Sequence, residues 1–319
     1  MARFNYGGQA VMEGVMMRGE REWAVCVRSP SGELIMHHEP LKGLVYRSRA
    51  LRLPFLRGLT LLWDALGLGM RALMWSADIA MGEEEEAPSF TGPMGWATVA
   101  ASLTLGIGLF FLLPTFLVSL LDRVIASALL SNLAEGGVRL GIFVLYLWAV
   151  GQMPDIHRVF AYHGAEHKAI NAYEHGAPLE PGAVARFPRA HTRCGTGFLL
   201  IVLVAFVLVT TLIGRPPFLL RLASRIVLIP LVAGVSYEFV KLASRFYERS
   251  AVVRVLMAPG LALQRLTTRE PDASMLEVSI AALQEVLQSE GLAAQEAAAA
   301  ATTASEDRPT TAAGTAPAE

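Results

Sequence analysis

The run His163-Gly164-Ala165-Glu166-His167-Lys168 places two histidines four residues apart, with a glutamate immediately before the second. On a helix, residues i and i+4 share a face, so both imidazoles can grip one ion. The order His-x-x-Glu-His is also the inverted zinc-peptidase pattern, in which the glutamate takes a proton from water activated by the ion. If residues 159–175 are helical, His163, His167, Ile170 and Glu174 fall in a narrow arc with Glu166 at its edge. Glu166 is therefore the candidate general base. His163 and His167 are the first candidate ligands of a divalent ion, with zinc the expected metal.

The third ligand has several candidates. Glu174 shares the arc. The segment His191-Thr192-Arg193-Cys194 supplies a second pair, His191 and Cys194. Glu238, far downstream, suits the inverted peptidase layout, where a later glutamate completes the site. The plainer alternative is a polar turn whose histidines are simply hydrogen-bonded, with Cys194 a small buried residue beside Gly195 and Gly197. His157 and His175 read as solvated helix-end or loop residues. His37 and His38 are neighbours in a strand, so they face opposite ways and cannot chelate together.

A second polar run, Gly7 to Gly19, sets Gln9, Glu13 and Arg18 among small and apolar residues. These three form another candidate polar site that could meet the histidine run on one side of the membrane. A buried Glu13 needs a partner such as Arg18. The run lacks the P-loop lysine and the Rossmann spacing, so its glycines read as turn and bulge residues rather than a nucleotide cradle.

The elements that must position these residues are mostly apolar. The chain has 319 residues, 53% hydrophobic and 17% charged, with mean hydropathy +0.44. Charge falls below the roughly 25% usual in soluble proteins. The expected fold is an α-helical integral membrane protein with about four transmembrane helices. A net charge of -1 gives no overall basic field, so no nucleic-acid partner is expected. Membrane lipid is the expected partner, with other membrane proteins open. Two cysteines, Cys26 and Cys194, make no disulfide framework. The first residues lack the apolar core of a secretory signal, so the expectation is that they are retained and not exported.

Residues 1–50 read as a small β-rich region, with a turn at Ser29 to Gly32. Residues 51–86 read as an amphipathic helix, about 54–81, and an acidic linker, Glu83 to Glu86. Arg57, Asp64, Arg71 and Asp78 recur every seventh position and line one face. The favoured reading is an interfacial helix with that stripe turned outward; the rival packs the stripe on protein. Spans are expected at about 95–121, 137–153, 197–214 and 217–240, within a transmembrane domain of 87–258. Pro114 is expected to kink the first, and Arg221 and Arg225 to snorkel from the start of the last.

Lysine and arginine crowd the 154–196 segment and the residues after the last span, including Arg158, Lys168, Arg189, Lys241 and Arg254. The positive-inside rule then puts the β-rich start, the His-rich loop 154–196 and the C-terminal region in the cytoplasm, at the inner membrane. Residues 259–290 read as a connector and a cytoplasmic amphipathic helix, opened by a Ser274-x-x-Glu277 capping box and striped by Leu276, Ile280, Leu283 and Leu287. Residues 291–319 read as a disordered tail.

Four segments, GGQAVMEGVMMRG at 7–19, YHGAEHKAINAYEHG at 162–176, HTRCGTGFL at 191–199 and LTTREPD at 266–272, resemble the YqhQ-like family of bacterial membrane proteins. The likeness covers about residues 3–290. It implies a membrane protein described as a metal-dependent enzyme of unassigned reaction. Carried over, the family's metal positions fall on His163, His167, His191 and Cys194. Two functions follow as expectations. One is a metal-dependent hydrolase at the cytoplasmic membrane face, acting through Glu166. The other is a non-enzymatic assembly, scaffold or regulatory factor with a structural polar or metal centre.

Overall fold

The computed structural model describes residues 6–42, 53, 56–82, 93–121, 124–214 and 216–306. The acidic linker Glu83 to Glu86, residues 307–319 of the expected tail, and Arg123 and Arg215 lie outside the described residues. The chain begins with an antiparallel meander: β1 (Gly7–Val11), β2 (Gly14–Arg18), β3 (Glu22–Arg28) and β4 (Leu34–Pro40), in spatial order β1-β2-β3-β4. Helix α1 (Leu56–Ala80) follows.

Then come α2 (Pro93–Ile107), a π-helical turn (Gly108–Leu112), α3 (Leu113–Ser119) and α4 (Ala128–Val150). Helix α5 (Pro154–Glu174) and the short α6 (Pro181–Val184) precede α7 (Gly195–Ile213) and α8 (Phe218–Phe246). The described chain closes with α9 (Ala251–Thr267) and α10 (Ala273–Glu306).

Among the described residues, four helical stretches are long and apolar enough to cross a bilayer: Ala97–Ser119, Ala128–Val150, Gly195–Ile213 and Phe218–Phe246. This is an integral membrane architecture of the expected class. The second span starts earlier than residue 137, because charges that read as a boundary are buried inside it. Glu135, Arg139, Arg221 and Arg225 are each at most 1% exposed. The Glu135 carboxylate accepts from Arg139 Nη2 (2.7 Å), Arg225 Nε (2.8 Å), Arg221 Nη2 (2.9 Å) and Thr115 Oγ1 (2.9 Å).

Arg221 and Arg225 therefore do not snorkel; a carboxylate across the bundle holds them. Arg139 Nε also donates to the Phe110 carbonyl in the π-helical turn, 2.8 Å away. That turn, in which the Leu113 N–H bonds back to Gly108, directly precedes Pro114, where a kink was expected.

The sheet alternates with period two and is buried on both faces. Val15, Met17, Ala24 and Cys26 pack on α5 and α10. Val11, Met16, Trp23, Val25 and Val27 pack on Leu68, Ala72, Trp75 and Ile79 of α1. Short strands are marginal alone, and here helices cover both sides.

The charged stripe of α1 faces protein, contrary to the favoured expectation. Arg57 pairs with Glu238 of α8, Asp64 with Arg18 of β2 (3.1 Å) and Arg71 with Glu39 of β4 (3.1 Å). Residues 251–267, partly read as a connector, form one helix despite Pro259. Helix α10 is capped by Asp272, whose Oδ1 accepts from the Met275 N–H (2.9 Å); Ser274 sits inside the helix and donates to the same oxygen. The helix runs on to Glu306, past the expected start of the tail at 291. Alanine is the best helix former, so an Ala-rich segment without periodicity can still extend a packed helix.

Candidate metal centre

The run 163–168 lies mid-way along α5 rather than in a loop, so His163 and His167 occupy successive turns of one face. Their ring centroids are 4.4 Å apart. His163 Nδ1 lies 2.8 Å from the Thr267 carbonyl, and His167 Nδ1 bonds to the Arg189 carbonyl. A carbonyl only accepts, so each Nδ1 carries a proton, and in the neutral imidazole each Nε2 then keeps its lone pair. This is the outer-shell arrangement that orients metal-binding imidazoles.

The third partner is Cys194, just before α7, with Sγ 3.4 Å from His163 Nε2. Ligand atoms of His163, His167 and Cys194 all lie within 4.8 Å of one another. Zinc bonds of about 2.0–2.3 Å in tetrahedral geometry need ligands roughly 3.3–3.8 Å apart, so small side-chain shifts close this set on an ion. Soft sulfur with two imidazoles suits zinc. Three protein ligands would leave room for a water on a bound ion, as in catalytic zinc sites.

Glu166 is 4% exposed and places Oε2 3.5 Å from His167 Nε2. It therefore stands beside the candidate ligand set. Gly8 of β1 lies over it: a Cβ there would come 2.8 Å from Glu166 Cγ and 2.6 Å from the Met16 carbonyl. Only glycine lets the strand approach this closely. A cavity of about 80 Å³ opens beside the set, lined in part by Tyr6, Gly8, Glu166, His191 and Arg193.

The remaining candidates have other partners. Glu174 binds Arg193 and lies 3.6 Å from His191 Nε2. Burial pushes its carboxyl up, but the His191 contact and the Arg193 charge outweigh that and hold it at about 2. His191 lines the cavity without joining the three-ligand set. Glu238 is bound by Arg57, whose Nε donates at 2.7 Å, and is likewise outside the set. A downstream glutamate in an apolar helix needed a cation, and α1 supplied one.

Gln9, Glu13 and Arg18 do not line the cavity. Gln9 packs on Gly69 of α1, and Arg18 pairs with Asp64. Glu13, at φ 49° in the β1–β2 turn, is held by Arg158 (2.5 and 2.6 Å) and by the Tyr162 hydroxyl (3.3 Å).

Further residues support the site from outside the candidate ligand set. Gln264 of α9 clamps the His191 backbone, accepting from its N–H (2.9 Å) and donating to its carbonyl (2.8 Å). Arg269 N–H bonds to the Phe160 carbonyl (2.8 Å), and Glu270 pairs with Lys168 (2.6 Å) and Arg189 (3.1 Å). The segment 266–272 is thus a strap across α5 that delivers the Thr267 carbonyl to His163. Its available signal was the polar run LTTREPD after an apolar helix.

Fold and site together define a polytopic membrane protein with a histidine–cysteine centre at one end of its helical bundle. The chain belongs to a family of proteins of unknown function, DUF1385, whose model matches residues 53–289. It is 32% identical over 301 residues to the uncharacterized protein YqhQ of Bacillus subtilis strain 168, covering 91% of this chain and 94% of that relative. No solved structure matches it.

Proposed function

We propose that this protein is a metal-dependent hydrolase of the inner membrane, with its centre at the cytoplasmic face. The observation that supports this best is the spending of both Nδ1–H groups on backbone carbonyls, which leaves two Nε2 lone pairs and Cys194 Sγ directed together. A preset tautomer on both rings suits a ligand role. The bound ion would supply Lewis acidity and lower the pKa of water. His163, His167 and Cys194 would hold it, and Glu166 would take the proton from water and return it to the leaving group. The substrate would carry a peptide or other hydrolysable polar group close to the membrane. Arg158, Lys168, Arg189 and Arg193 gather at this end of the bundle, which supports the cytoplasmic side.

The test is Glu166→Gln. It should keep the ion and lose the cellular function that a deletion strain reveals. Full complementation by Glu166→Gln would remove the hydrolase reading and leave a structural centre, as expected of an assembly or scaffold factor.

A further inference from the structure

Helix α9 has three faces, and only one of them packs on protein. Met257, Gly260, Gln264 and Thr267 are buried. Val252, Val255 and Leu256 are 69%, 71% and 57% exposed, and the exposed Pro259 and Ala262 continue that apolar face towards Thr267. Arg254 and Arg265, both exposed, mark a polar stripe along the third side.

The helix is also placed across the bundle. Its 17 residues reach about 25 Å, short of a bilayer core. A Cβ on Gly260 would lie 3.4 Å from Gly197 Cα, and the Thr267 hydroxyl donates to that of Thr196 (3.2 Å). Seven residues of α9, about 10 Å of helix, therefore stay beside the first turn of α7. A helix running along α7 would have advanced by several residues. Helix α9 crosses the start of a span instead, which is the placement of an interfacial helix.

The polar stripe continues onto the end of α8. Lys241, Arg245 and Arg249 follow at four-residue steps through the last turns of α8 and the turn beyond it, so they gather on one side. Arg245 and Arg249 are exposed and Lys241 is half-buried. None of the three makes an ion pair with the described residues, and Glu238 nearby is taken by Arg57. Arg254 reaches back to the carbonyls of Tyr247 and Glu248 (3.4 and 3.2 Å), which brings its charge to the same turn. Residues 241–254 hold these four cations and a single carboxylate, Glu248, so the positive charge is in excess.

We propose that α9 and the end of α8 form a seat for anionic phospholipid, in the leaflet on the side of the His/Cys centre. The apolar face of α9 lies among acyl chains, and Lys241, Arg245, Arg249 and Arg254 hold headgroup phosphates. Lipid fits better than a protein partner because the surface is continuous with the outer side of a span: Leu242 and Phe246 of α8, beside these cations, are 57% and 47% exposed. A zwitterionic headgroup carries its own cation next to the phosphate and gains less from the cluster. The buried face of α9 clamps His191 through Gln264, so the seat is joined directly to the centre.

The test is native mass spectrometry of the full-length protein in a neutral detergent, titrated with phosphatidylglycerol or with phosphatidylcholine of the same acyl chains. Phosphatidylglycerol should bind at least about tenfold more tightly than phosphatidylcholine. The triple variant Lys241→Gln, Arg245→Gln, Arg249→Gln should lose most of that preference. Arg249→Gln alone covers a failure of the triple variant to fold, and should weaken phosphatidylglycerol about fivefold.

Equal binding of the two lipids by the wild type would overturn the proposal. So would an undiminished preference for phosphatidylglycerol in the folded variants. A dimer that the triple variant abolishes, with no lipid preference in the wild type, would overturn it too and assign the surface to a second copy of the chain.

Discussion

His163 and His167 are anchored from behind, and that anchoring makes specific demands. The strap 266–272 reaches His163 only because Gly164 has no side chain; a Cβ there would strike the Arg269 carbonyl. Gly164→Ala should therefore destabilise the protein by about 1–3 kcal/mol, the usual cost of overpacking, and weaken metal retention. Thermal unfolding in detergent checks this, and an unchanged midpoint would refute it. Cys194→Ser should remove the thiolate-to-cobalt charge-transfer band from cobalt-substituted protein while leaving the chain folded.

The candidate ligand residues were legible because their chemistry and the i, i+4 spacing of the histidines are written in side chains. Their supports were not, because Thr267 and Arg189 act through backbone carbonyls that any residue carries. Glu238 was misread for a related reason. Sequence shows a carboxylate at a plausible distance, but not that Arg57 reaches it first.

The clearest case among the elements is α1. Its seven-residue charge stripe was visible, but an amphipathic pattern reads alike whether the polar face meets water, headgroups or protein. The structure resolves it: Arg57, Asp64 and Arg71 pair with α8, β2 and β4, so the helix fastens the sheet to the bundle. Exchanging charges at one clasp tests this. Arg18→Asp or Asp64→Arg alone should destabilise, and the double exchange should recover roughly 0.5–1 kcal/mol, the coupling of a partly exposed pair. Additive losses would show that the contact does not contribute.

The strands were legible from alternation and from the turn at Ser29 to Gly32. Their double-sided burial was not, because it depends on α1 and α10 arriving from distant sequence. Trp75→Ala, which empties one of these faces, should cost about 3–5 kcal/mol.

The whole molecule joins two unlike parts: an apolar bundle holding a buried charge cluster, and a compact cap of sheet and helices holding the His/Cys centre. The number of spans followed from composition and length. The cluster escaped notice because Glu135 and Arg139 of α4 and Arg221 and Arg225 of α8 look like span boundaries until the two helices meet. Glu135→Gln would leave Arg139, Arg221 and Arg225 without their shared carboxylate. It should destabilise the bundle by about 3–5 kcal/mol while leaving metal content per folded chain unchanged.

Every role proposed for the His/Cys centre depends on a bound ion. Metal analysis of purified wild type beside the His163→Ala, His167→Ala double variant tests it most directly. Stoichiometric zinc is expected in the wild type, and its loss in the folded double variant. Equal, sub-stoichiometric metal in both would contradict it.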